Sequence, residues 1–365
     1  MNRRGSALLV ALVVLVGLAM LGMATLELAD RSMEAARREE ARVRIQAAGR
    51  SALARALARL SPDSVVGLAP GQGRQLDSVI PLPGAVAVDS IMSLSPSLLE
   101  ASGTAWVSRA GGAIEARDAT RELIQLIELQ VAETAAVVTT GPLRIEGAGQ
   151  VAGTDLPAGS LPLCLPAAGT GPAALVASAA GLWVDSSSGA GITGTPALAL
   201  DSTISAGFLN RLRPSSLQVL ASASAHPLLA LAGAPGPSAL GAGCDTTDPL
   251  NWGDPTASSS ACAGYRPIIQ LAPGAMVTGG VGQGVLVGTG ALHLGGSFRF
   301  EGVVLARGPV VVDDSAVVTG VLLGGDSVTV RGHAAVIRSS CAVRAARDAA
   351  RRLRRLQSRS WSWGP

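Results

Sequence analysis

The chain has 365 residues, a formal net charge of +3 and 48% hydrophobic residues, but only 2% aromatics. A core without aromatics is built from Val, Leu, Ile and Ala, and 45 glycines favour turns and close-packed coils over helical bundles. So small a net charge excludes a general polyanion-binding role, so no nucleic-acid partner is expected, and all 29 basic side chains are arginine.

Residues 1–5, Met-Asn-Arg-Arg-Gly, lead into an uncharged run from Ser6 to Leu26. About twenty apolar residues suffice to cross a bilayer as a helix. Arg3 and Arg4 ahead of the run keep the N-terminus cytoplasmic and send the rest across. A cleaved secretory signal would have a shorter apolar core and a small-x-small cleavage site. Glu27 to Leu60 has no proline and one glycine, Gly49, and is rich in the helix formers Ala, Arg, Glu and Leu. Leu53, Leu57 and Leu60 share one helix face, and Pro62 stops the helix. One helix from Ser6 to Leu60 is therefore expected, roughly 80 Å long at 1.5 Å per residue. Its first half is apolar and its second half amphipathic.

Arg4-Gly5 followed by Ser6-Ala7-Leu8-Leu9-Val10-Ala11-Leu12 resembles a type IV prepilin leader. Through Leu21-Gly22-Met23 to Gln46-Ala47-Ala48 the segment is most similar to the N-terminal helix of PilX-type minor pilins. The resemblance covers residues 3–60. It implies a cut after Gly5 by a prepilin peptidase and a mature chain beginning at Ser6. It also implies that the helix, with Ala7, Leu8, Leu9, Val10 and Leu12 in its first turns, anchors in the inner membrane or packs with other pilins or pseudopilins. The body would then lie in the periplasm or on a surface pilus. Two positions depart from the family pattern. Val10 stands at the fifth mature position, where most major pilins carry glutamate, which points to a minor or tip subunit. Ser6 stands where an aromatic residue or Met is commoner. A plain single-span anchor is the simpler alternative.

Beyond a Pro/Gly-bearing connector, Ala85 to Ser95, Leu98 to Ser108 and Ala119 to Val131 read as three strands of a small sheet. Leu123, Ile124, Leu126, Ile127 and Leu129 also fit a short helix. Residues 154–266 are rich in Ala, Gly, Ser and Pro and read as a loop-rich insertion. The four cysteines, Cys164, Cys244, Cys262 and Cys341, form no CxxC pair, and an even count fits disulfides outside the cytoplasm. Three pairings are open to four cysteines. Cys244 with Cys262 is the most local, and it would leave Cys164 with Cys341.

From Leu286 the chain has a period of six. The series Leu286, Leu292, Phe298, Val304, Val310, Ala316, Leu322, Val328, Ala334 is apolar throughout. The series two positions on, from Gly288 to Val336, contains no polar residue. Six of the nine residues in the series from Gly290 to Arg338 are glycine. Two inward residues flanking one outward residue make a short strand, and glycine allows a positive φ at a corner. Three such sides close a coil of 18 residues, at which interval Gly284, Gly302 and Gly320 recur. The expectation is a β-helix of about three coils. Leu143, Ile145, Gly149 and Val151 suggest an earlier coil. The pattern resembles the polymer-forming, bactofilin-like class, which implies only the architecture. Ala342 to Leu356 reads as a short Arg-rich helix that would cap the coil's open end.

The expected organisation is thus α+β: a leader (1–5), membrane or filament helix (6–60), small sheet domain (61–135), first coil (136–153), loop-rich insertion (154–266), β-helix (267–341), and terminal helix with tail (342–365). No nucleophile elbow, phosphate loop or zinc-protease motif appears. Gly280-Val281-Gly282-Gln283-Gly284 leads into strands rather than a helix. Asp313-Asp314 reads as a turn pair. His293 and Arg299 fall at outward positions. No catalytic residue, cofactor, metal site or small-molecule ligand is assigned, and the outward positions are too apolar for a polysaccharide lyase. The functional expectation is a minor-pilin-like structural protein. The alternatives are a single-span envelope adhesin or scaffold and a type II secretion minor pseudopilin.

Overall fold

The computed structural model describes residues 3–356 except 77–79, 83–84, 109–113, 130, 132–133, 160, 162–163, 167–170, 177–181, 186–188, 202–225 and 230–233. The tail with Trp361 and Trp363 lies outside the described residues. The fold is α+β, with one long apolar helix at the N-terminus and many strands in sheets. Two compact units divide the chain: Met1–Leu126 with Leu353–Pro365, and Ile127–Arg352.

In the first unit helix α1 runs Arg3–Arg59, and a 3-10 turn at Pro62–Ser64 follows it. Proline fixes that stop, because it cannot donate a backbone hydrogen bond and clashes with the preceding turn. The second half of α1 buries Ile45, Ala48, Ala52, Leu53 and Ala56, spaced along one face. A sheet lies beneath them, in the order Gly73–Gln75, Ala85–Ser95, Leu98–Ser108, Ile114–Ile127, Arg352–Arg355, its first four strands antiparallel. Alternation sets its two faces: Ala87, Asp89, Ile91 and Ser93 are buried on one strand, Leu99, Ala101 and Ala105 on the next. Burial of Ile45 and Leu53 contributes about 1.5–3 kcal/mol each.

Gly49 costs the helix about 1 kcal/mol relative to Ala, and close packing is the reason for it. A methyl group on Gly103 would lie 2.8 Å from the Gly49 carbonyl oxygen and 3.2 Å from Leu53 Cβ. A methyl group on Gly49 would in turn lie 3.4 Å from the Gly103 carbonyl oxygen.

The third long strand begins earlier than the sequence suggests and ends at Ile127, and the helical alternative at Leu123–Leu129 is not adopted. Leu123 pairs with Glu100 and Ile124 with Leu99, so only alternate residues face α1. Terminal helix α2 also differs from expectation: it spans Ser340–Ala350 and stops. At Arg351 the backbone turns extended (φ −60, ψ 136), and Arg352–Arg355 becomes an edge strand of the first unit's sheet. Leu353 packs with the cluster around Leu53, and Leu356 N donates to Leu123 O at 2.9 Å.

In the second unit parallel strands stack with an offset of 18 residues. Val285 pairs with Val303 and Val303 with Val321. Leu294 pairs with Val312 and Val312 with Val330. Each repeat supplies one long and one short strand, as in Arg299–Ala306 and Val310–Val312. The two apolar series point inward as the period requires, and Leu286, Phe298, Val304, Ala316, Leu322, Val328, Ala334, Val318 and Val336 are 0% exposed. Gly284, Gly302 and Gly320 stack directly above one another with φ of 110, 140 and 141. The long strands bend at these glycines.

The rungs do not stack in chain order. Leu143–Ile145 and Gln150–Ala152 pair with Val328–Val330 and Ala335–Arg338, the last C-terminal rung. A further rung follows: Leu182–Val184 pairs with Leu143–Ile145 and Gly191–Thr193 with Gln150–Ala152, while Ala174–Val176 pairs with Val137–Thr139 and carries Leu198–Leu200 beyond it. So part of the segment 154–266 is regular stack, hidden in the sequence because its apolar triplets are short and embedded in Gly, Ser and Pro. Along the axis, residues 268–338 come first and 136–200 follow.

His226–Leu229, paired with Ile268–Leu271, and residues 234–266 close the 268 end. Val281 N donates to Pro235 O at 2.9 Å and Gln283 N to Trp252 O at 2.8 Å, which extends the stack by one level. Trp252 is 0% exposed and meets Phe298 edge-on, ring centroids 6.0 Å apart. Helix α2 does not cover an open end. It lies along the side, where Val343, Ala346 and Ala350 cluster with Val285, Val287, Val303, Leu305, Val321 and Leu323. These outward residues are apolar because a helix covers them.

Candidate functional site

Two features carry chemistry: the bare half of α1 and a charged corner of the stack. Gly5 and Ser6 lie within α1, as do Ala7, Leu8, Leu9 and Val10, whose side chains fall outside the described residues. From Ala11 to Glu40 every side chain is exposed. Leu12 is 61% and Leu21 65% exposed. The helix is long and apolar enough to cross a membrane, with mean hydropathy 2.2 over its most apolar window. So many exposed leucines and valines on one helix call for lipid or other apolar helices around it.

Beyond Leu26 the helix becomes charged. Arg31, Arg38 and Arg44 donate to Glu27, Glu34 and Glu40 at 2.7, 2.6 and 2.6 Å. In each pair the acid precedes the base by four residues, the favourable sense for the helix dipole, and each exposed pair adds about 0.3–0.5 kcal/mol. These pairs support the helix where no tertiary packing does.

At one corner of the stack the registers bring Asp313, Arg331 and Glu146 into a column along the axis. Arg331 Nε donates to Asp313 Oδ2 at 2.9 Å, and Nη2 donates to the same oxygen. His293 Nε2 lies 3.6 Å from that oxygen. Burial alone would push the Asp313 carboxyl up. Hydrogen bonds from Arg331 and the Asp314 amide, with the charges of Arg331 and His293, outweigh it and hold the carboxyl below its usual range. Asp314 sits at φ 58, and its Oδ2 accepts from Gly296 N at 3.0 Å. The Asp pair is therefore a cross-rung staple at a turn. Among the described residues no group of three or more His, Cys, Asp or Glu could hold a metal ion.

A depressed carboxyl stabilises the fold above its unfolded pKa, and that contribution is lost as pH falls through the folded value. Asp313→Asn is expected to lower stability by about 1 kcal/mol at pH 7. The gap between variant and wild type should narrow steadily below about pH 4. Urea midpoints across that range check this, and a gap independent of pH would refute the assignment.

The cysteines pair as Cys244–Cys262 and Cys164–Cys341, with Cα–Cα distances of 4.9 and 5.9 Å. Arg299 is exposed, His293 half-buried, and Gly280–Gly284 enters a strand. Nothing in the sequence marks Asp155, whose buried carboxylate accepts from Ser340 N at 2.7 Å and Ser340 Oγ at 2.6 Å and so supports the start of α2 beside its N-cap, Ser339. Nor does the sequence mark Trp252 as an end plug. No protein-family model, no curated protein and no solved structure matches this chain.

Proposed function

We propose that this is a minor-pilin-like structural protein of a type IV pilus or related filament, anchored by α1 and displaying the stacked coil, a bactofilin-like β-helix. One observation carries the reading. A single 57-residue helix leaves its apolar first half bare and packs its second half on a small antiparallel sheet. Such a helix can exchange lipid for the apolar helices of neighbouring subunits without rearranging its own sheet. The prepilin-like junction at Gly5-Ser6 supplies the processing step, and Val10 in place of glutamate favours a minor or tip position. Its partners are the inner membrane, a prepilin peptidase and other pilins.

The stack favours a second reading, an envelope scaffold or adhesin in which α1 is only an anchor, because parallel strands stacked rung on rung give the second unit a long continuous surface. A type II secretion minor pseudopilin shares the first reading's processing step. Mass spectrometry of the mature N-terminus, with and without prepilin peptidase, decides. A start at Ser6 that depends on the peptidase is expected. An intact Met1 in both strains would leave the anchored scaffold.

A further inference from the structure

The rung order makes a seam in the second unit. On one side lies the last C-terminal rung, Val328–Val330 and Ala335–Arg338; on the other lies the first N-terminal rung, Leu143–Ile145 and Gln150–Ala152. Reversible contacts cross it: Thr139 Oγ1 donates to Asp326 O at 2.5 Å, Thr140 Oγ1 to Gly325 O at 2.8 Å, and the Asp155 carboxylate holds Ser340. One covalent bond crosses it. Cys164 lies on the segment that leaves the first N-terminal rung, and Cys341 lies in the first turn of α2, which leaves the last C-terminal rung. The bridge spans 177 residues, whereas Cys244–Cys262 spans 18 within the end plug.

We propose that Cys164–Cys341 is a redox latch on this seam, set and released by a thiol–disulfide oxidoreductase. The proposal does not depend on the pilin reading. Cys341 is 1% exposed, while Cys164 is half-buried, so attack comes at Cys164. A thiolate of the reductant's dithiol bonds to Cys164 Sγ; the Cys164–Cys341 bond breaks, and Cys341 leaves as a thiolate that takes a proton. The reductant's second thiol then displaces Cys164, leaving two thiols on the protein and a disulfide on the partner. Two electrons pass, and an oxidised partner runs the same steps in reverse. With the latch open the seam is held only by contacts distant in sequence, so it opens before the rungs on either side.

The test is hydrogen exchange and thermal melting on the full chain in detergent. In Cys164→Ser/Cys341→Ser, amides at 143–152 and 328–338 are expected to exchange at least tenfold faster, while those at 285–287 and 303–305 hold. The melting temperature should fall by about 10 °C. Cys244→Ser/Cys262→Ser should speed exchange around Trp252 and leave the seam alone. That second variant in dithiothreitol reduces only the latch, so it gives the same reading should the first not accumulate. Uniform loss of protection, or no change at the seam, would overturn the proposal.

Discussion

Gly302→Ala loses about 2–6 kcal/mol of stability, a large effect for a single added methyl group. Two costs combine. At φ 140 the backbone lies where a side chain is strained, which costs about 1–3 kcal/mol. The new methyl would also collide with the Gly284 carbonyl oxygen of the rung below. That neighbour is backbone, held by its own ladder bonds, so it cannot give way as a flexible side chain would, and overpacking adds about 1–3 kcal/mol. Gly320→Ala should behave alike, because its methyl would meet the Gly302 carbonyl in the same way. Gly279 is the control: its nearest neighbour would be Ser297 Oγ at 3.8 Å, and its φ is ordinary. Gly279→Ala should stay within about 0.5 kcal/mol of wild type. Urea denaturation of the three variants measures this, and equal midpoints for Gly279→Ala and Gly302→Ala would refute the argument.

Phe298→Ala is the second large effect, at about 3–5 kcal/mol. Phe298 is 0% exposed, stacks on Phe300 with centroids 6.1 Å apart, and receives the edge of Trp252. The walls of the stack are fixed by parallel backbone pairing above and below, so the cavity left by the ring cannot collapse, and the cost should sit high in the usual range. Phe298→Leu keeps most of the volume and should lose less than half as much. If both variants lost the same amount, shape filling would not be what holds this layer together.

The period of six is legible because each inward position is read several times over. Leu286, Leu292 and Phe298 are independent reports of one geometric fact, and Gly284, Gly302 and Gly320 report the bend. The long helix is legible for a similar reason: no proline interrupts it before Pro62. What the period cannot encode is which rung stacks on which. Every rung presents the same two inward residues, so the pairing of Leu143 with Val328 leaves no local trace. Ala174–Val176 and Leu182–Val184 were hidden by composition, since three-residue strands among glycines and serines give no periodic run. A signal for the lateral helix did exist. Val285 and Val287, Val303 and Leu305, Val321 and Leu323 repeat as apolar outward residues, which an uncovered wall would not need. The processing residues Gly5 and Ser6 rest on local sequence alone, so the fold adds little to them beyond the helix that contains them.

The rung order has a consequence for how the protein comes into being. A simple solenoid can grow one repeat at a time as the ribosome delivers it, because each repeat docks on the one just made. This body cannot. The rung beginning near residue 136 is synthesised early, yet Thr139 waits for Asp326, 187 residues later. Pairing over such distances in sequence is slow. Until it happens, the early strands carry unsatisfied edges that another nascent chain can pair with. The second unit therefore forms as a single late event, and loss of the last few dozen residues strips the first rungs of their neighbour as surely as it removes the final ones.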